Sequence, residues 1–155
     1  MFDLPLHPMV IHLPIGLSLA VVLLAPVVLI AWKCGYFSRR TWWMIPLLQF
    51  VLLVGSVTAV YSGELAERNA RQVVPNAEVI DRHERQAKRF SLIAAITFVL
   101  SLTGAAVSDS KRAQHFATAA VVAAVLQMGG CVLVSHTGGM VVWGPEGLVG
   151  QDIPP

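Results

Sequence analysis

Four apolar runs, at residues 9–32, 42–61, 90–107 and 116–135, constrain this chain more than any other feature. Each is near the roughly 20 residues that a helix needs to cross the hydrocarbon core of a bilayer. None contains Asp, Glu, Lys or Arg. Inside a bilayer every backbone N–H and C=O must be paired within the protein, so runs of this length cross as helices. The expected fold is all-α, a four-helix transmembrane bundle forming one domain over residues 1–155. Only 13% of the 155 residues are charged, about half the share usual in a soluble domain. Lipid is the solvent this composition suits.

Polar and helix-breaking residues inside the runs are few. Gln49 and Gln127 alone put amides at depth. Pro14, Pro26 and Pro46 are tolerable, because neighbouring helices re-satisfy the carbonyls they free. Pro14 falls in a first helical turn, where its missing N–H costs least. Cys34 and Cys131 are expected near opposite membrane faces, so no disulfide between them is expected, and Cys131 reads as a buried, inert thiol. The N-terminus lacks a basic leader and carries Asp3, so the first run is expected to be retained rather than cleaved. A net charge of +2, with no basic stripe and no phosphate-cradling Gly loop, argues against nucleic-acid and nucleotide partners.

The connections set the expected orientation. Two short loops, 33–41 and 108–115, hold Lys33, Arg39, Arg40, Lys111 and Arg112 against the single acid Asp109. The N-terminus, segment 62–89 and the tail hold six basic residues against eight acidic ones. The positive-inside rule puts the short loops in the cytoplasm and both termini in the periplasm of a bacterial inner membrane. Trp32, Trp42 and Trp43 then read as interfacial anchors on the cytoplasmic side. Residues 62–72 are rich in helix formers and extend the second helix, Pro75 and Asn76 break it, and residues 77–89 lead into the third span. The tail is expected to be Gly-rich and turn-forming, with Met140 to Trp143 as one strand of a short hairpin.

This topology sorts the histidines. His7 precedes the first span, His12 lies in its first turn, His83 lies on the lead-in to the third, and His136 ends the fourth. All four fall at the periplasmic end, and only His115 lies at the other. Neutral imidazole ligates zinc, copper and haem iron, and helix bundles build such sites from facing helices. A polar cap at the interface is the plainer role for any one histidine. Four from separate regions at one end favour a shared site.

Small residues lean toward the same end: Gly55, Ala59 and Gly63 on the second span, Gly129 and Gly130 on the fourth. Close helix packing is their plainer role, and a groove admitting a flat macrocycle is the sharper one. Arg82 and Arg85 suit haem propionates, since the guanidinium fork matches carboxylates. Glu64 could orient a histidine or ligate a metal. Catalytic patterns are missing: there is no Gly-x-Ser-x-Gly elbow, no His-Glu-x-x-His helix, and no charged residue within a span to mark a transport path.

The opening Leu6-His7-Pro8-Met9-Val10-Ile11-His12-Leu13-Pro14-Ile15-Gly16-Leu17 resembles the start of a family of bacterial four-helix membrane proteins of unknown function, whose members typically open with His-Pro-x-x-Val-His-Phe-Pro-Ile. The resemblance extends to Gly63, His83, the Thr-Gly-Gly-x-x-Val of Thr137 to Val142, and Gly147. It departs at Leu13, where Phe is usual, and at Trp143, where Tyr is common. It implies a four-helix fold with the histidine motif outside. Some relatives occur beside cytochrome-like modules, which tilts the expectation toward redox function.

The expected function is a b-type haem-binding electron-transfer subunit rather than an enzyme. His12 and His83 form one expected axial pair, with His7 and His136 as a second pair or supporting shell. Two axial ligands leave little room for oxygen chemistry. A zinc or copper site on His7, His12, His83, His136 and Glu64, or a cofactor-free subunit of a larger membrane complex, are the alternatives. The bilayer is one partner, a redox protein or larger complex is another, and homo-oligomerisation stays open.

Overall fold

The four apolar runs become four helices, and the last three extend well beyond the residues that hydropathy marks. The computed structural model describes residues 9–73 and 77–143. Helix α1 spans His12–Lys33, α2 Met44–Val73, α3 Ala77–Ala106 and α4 Ser110–Trp143. All four are long and apolar enough to cross a membrane. At 30 residues, α2 and α3 are about 45 Å long, well beyond a hydrocarbon core of about 30 Å. Segment 62–89 is therefore helical wherever it is described, a projection beyond the bilayer.

Ion pairs hold that projection. Arg71 bonds Glu67 one turn back at 2.6 Å and also pairs with Asp81 on α3. Lys88 on α3 pairs with Glu84 at 2.6 Å and with Glu64 on α2 at 3.1 Å. Asp81, followed by Glu67, raises the Arg71 pKa above its ordinary value.

The helices form a ring in which α1 touches α2 and α4, and α3 touches α2 and α4. α1 and α3 make no contact and are diagonal partners. The other diagonal, α2 to α4, is bridged through the centre by Gln49 Nε2 donating to Gln127 Oε1 at 3.2 Å, both side chains fully buried.

At the loop end α1 closes on Gly35, whose φ of +81° allows the Gly35 N–H to reach Trp32 O and the Tyr36 N–H to reach Ala31 O. A 3-10 turn, Arg39–Trp43, leads into α2. The Arg39 guanidinium donates to the carbonyls of Ala105, Val107 and Ser108, capping α3 where its last carbonyls lack helical partners. On α4, Ala113, Ala117, Ala120 and Ala124 form a buried seam at spacing 4-3-4. Small side chains let α3 approach closely there, and Gly104 of α3 sits against the backbone of Ala113 and Ala117.

Two expectations are corrected. Trp32 and Trp42 are core residues, not interfacial anchors: their rings pack 6.3 Å apart, Trp42 is 0% exposed, and its indole N–H donates to Ser101 O at 3.0 Å. Trp43 alone of the three is exposed. Met140 to Trp143 are helical, not a strand, and Gly138 and Gly139 lie inside α4. Glycine costs a helix about 1 kcal/mol, but a helix end packed on its neighbour keeps its backbone bonds. The remainder of the proposed hairpin, and Gly144, Pro145, Gly147 and Gly150, lie outside the described residues.

Cys34 is exposed and Cys131 buried, and both are free thiols.

Candidate functional site

The described part of the histidine end is built where α3 enters the bundle and α4 leaves it. His83 is half-buried on α3, and its Nδ1 lies 3.2 Å from Thr137 Oγ1 on α4. Thr137 is 5% exposed. Its hydroxyl also lies 3.0 Å from Val134 O and 3.1 Å from Leu133 O. Carbonyl oxygens only accept, so the single hydroxyl hydrogen goes to α4, and Thr137 Oγ1 accepts from the imidazole. With that assignment a neutral His83 carries its proton on Nδ1. A second interaction of this kind is how proteins aim a metal-ligating imidazole.

Gly138 completes the seat. A Cβ at this position would lie 3.0 Å from His83 Cε1 and 3.5 Å from Nδ1. The ring therefore packs directly on the α4 backbone, where any larger residue would push it away. Beside it lies a cavity of about 210 Å³ lined by Glu78, Val79, Arg82, Thr137 and Met140. Thr137 is common to the ring's seat and to the cavity wall. Arg82 and Arg85 are both exposed, and only Arg82 lines the cavity.

The other sequence-nominated residues are placed less closely. His12 is exposed on α1, the helix diagonal to α3. His136 is exposed on α4, one residue and about 100° around the helix from Thr137. His7 lies outside the described residues. Glu64 pairs with Lys88, and with no histidine among the described residues. Gly55 is covered by α1, with its Cβ position 3.2 Å from Leu13 Cδ2 and 3.5 Å from Pro14 Cδ. Gly130 faces Phe90 and Ile93 at 3.7 and 3.8 Å. Gly55 also lines an apolar groove of about 550 Å³ with Met9, Val10, Leu13, Phe50, Val51, Val54 and Thr58, and Gly63 is half-buried on α2.

Among the described residues, the group of three ligand-type side chains close enough to share an ion is Glu67, Asp81 and Glu84, with ligand atoms within 4.8 Å of one another. Arg71 and Lys88 already engage all three carboxylates, which makes the group an ionic clasp between α2 and α3. Thr137 is the residue of this seat that side-chain chemistry alone did not nominate. Its signal was present in the Thr-Gly-Gly that closes the resemblance, where Thr137 bonds the imidazole and Gly138 admits it.

Four helices of spanning length, with a hydroxyl-oriented histidine at the end away from the short loops, define a polytopic helical membrane protein. The chain belongs to the predicted membrane protein family DUF2231, a domain of unknown function, whose profile matches residues 3–149. Neither a search of curated proteins nor one of solved structures found a match to the chain.

Proposed function

We propose that this protein is a membrane-embedded subunit that binds haem b at the histidine end and passes electrons, without catalysing a reaction itself. The observation that carries this reading is the seat of His83. In this reading Thr137 orients the ring through Nδ1, 3.2 Å from its hydroxyl, and Nε2 is the nitrogen that meets the iron. His12 is the second axial ligand in this reading, with His7 and His136 as a further pair or as supporting groups. Arg82 and Arg85 are the cations available to propionates. In this reading the macrocycle lies at the end of the bundle beside His83, since the Gly130 face is covered by Phe90 and Ile93. The haem supplies one-electron transfer, and the protein residues hold it, orient its ligand and restrict water. The electron partner is a redox protein or a larger membrane complex.

A reduced-minus-oxidised absorbance spectrum of detergent-purified protein, expressed with ample haem, tests this. The expected result is a Soret and α-band pair that His83→Ala abolishes. Thr137→Val should keep the haem and shift its potential, because the ligand loses its orienting bond. Colourless protein overturns the haem reading. Stoichiometric zinc or copper that disappears in His83→Ala would establish the metal alternative. Metal-free, colourless protein copurifying with fixed partners would establish a structural subunit.

The proposed orientation places the short basic loops in the cytoplasm of a bacterial inner membrane and both termini in the periplasm. Cys34 reports on this without engineering, since it is exposed beside the α1 loop while Cys131 is buried. A membrane-impermeant maleimide should label Cys34 in inside-out vesicles and leave it unlabelled in spheroplasts. The reverse pattern would invert the topology.

A further inference from the structure

His115 is the histidine that the cofactor reading leaves unused, and its surroundings differ in kind from those of the other end. Lys33, in the last turn of α1, crosses to α4 and donates from Nζ to Thr118 Oγ1 at 3.2 Å. The Thr118 hydroxyl donates to Gln114 O at 2.7 Å, so it accepts from the ammonium, which keeps two further N–H donors. Lys111, His115 and Thr118 stand at i, i+4 and i+7 and share one stripe of α4. Lys33 comes to rest on that stripe, and all four residues are exposed.

The charge of this region is not neutralised from within. Its one acid, Asp109, accepts the Arg112 backbone N–H at 2.9 Å and so caps α4. Arg39 spends its guanidinium on the α3 carbonyls. Among the described residues, no carboxylate pairs with Lys33, Arg40, Lys111 or Arg112, whereas Arg71 and Lys88 at the other end engage two carboxylates each. Exposed Tyr36, Phe37 and Trp43 mark the depth as that of a membrane interface.

The same α4 stripe then changes character. Continuing from Thr118 by four and seven residues, it reaches Val122 and Val125, 57% and 56% exposed. A cationic, hydrogen-bonding segment followed along one line by an open apolar one matches an amphiphile with an anionic head. It does not match a free anion, which would leave the apolar half unused.

We infer that Lys33, Lys111, His115 and Thr118 form a binding site for the headgroup of an anionic phospholipid, its acyl chain lying along Val122 and Val125. Basic grooves between transmembrane helices at the headgroup level bind such lipids, each cation contributing about a fivefold gain in affinity. The site stands apart from His83 and holds whether or not the protein carries haem.

Native mass spectrometry of the purified protein, titrated in detergent with phosphatidylglycerol or with phosphatidylcholine of the same acyl chains, tests it. The wild type should retain phosphatidylglycerol preferentially. The double variant Lys33→Gln with Lys111→Gln should lose about 25-fold in affinity for it, and Arg89→Gln at the opposite end should lose nothing. If the double variant does not fold, the wild type titrated at about tenfold higher ionic strength gives the same reading, because screening must remove the preference. Equal retention of the two lipids, an unaffected double variant, a preference that survives salt, or displacement of the lipid by equimolar inorganic phosphate would each overturn the assignment.

Discussion

Replacing Gly104 by valine is expected to destabilise the detergent-solubilised protein by about 1–3 kcal/mol, the range for overpacking a close-packed interior. The reason is what a side chain would meet. A Cβ at position 104 lies 3.0 Å from Ala117 N and 3.3 Å from Ala113 O, both backbone atoms of α4, and 3.2 Å from Trp42 Nε1. A flexible side chain could move aside, but the backbone of α4 moves only by opening the seam of Ala113, Ala117, Ala120 and Ala124. That shift would also pull Trp42 from its bond to Ser101 O. Gly16→Val is the matching control, because nothing lies within 4 Å of a Cβ there. It should change stability by less than about 0.5 kcal/mol, as exposed substitutions do. Thermal unfolding followed by tryptophan fluorescence measures both. If Gly104→Val is as stable as Gly16→Val, α3 and α4 do not meet through this seam.

The number of helices was legible in the sequence because bilayer thickness imposes a length that apolar runs must meet. Their ends were less so. Hydropathy stops at the first charged residues; the helix formers of 62–72 and 77–89 did signal that α2 and α3 continue past them, but the pairs that hold them there, such as Arg71 with Asp81, join residues on different helices. Rotational phase was the least legible feature. In water, polarity marks the outer face of a helix; in lipid, the outer face is apolar as well, so nothing in the local pattern separates buried Ala120 from exposed Val122. Trp32 and Trp42 were misread for that reason, since an indole at the interface and an indole in the core look alike in a run of Leu, Ile and Trp. His83 and its end of the bundle followed from topology. Thr137 as its partner did not, because that contact spans 54 positions in sequence.

The buried amide pair offers the sharper test of the bundle's centre. Gln127→Leu is expected to destabilise the protein by about 1–3 kcal/mol, the cost of leaving a buried polar group unpaired. The Gln49 side chain is 0% exposed and its Nε2 donates to Gln127 Oε1, while its own Oε1 accepts no hydrogen bond among the described residues. Removing Gln127 therefore leaves the Gln49 amide without its bond to α4. The bond itself is worth less than that loss, since hydrogen bonds between membrane helices average about 0.6 kcal/mol. The double variant Gln49→Leu with Gln127→Leu removes both amides together and should recover to within about 1 kcal/mol of the wild type. Stability of the four proteins in one denaturant series completes the cycle. A double variant less stable than either single one would show that each amide contributes separately from the bond between them, and would overturn the reading of two buried amides that satisfy one another.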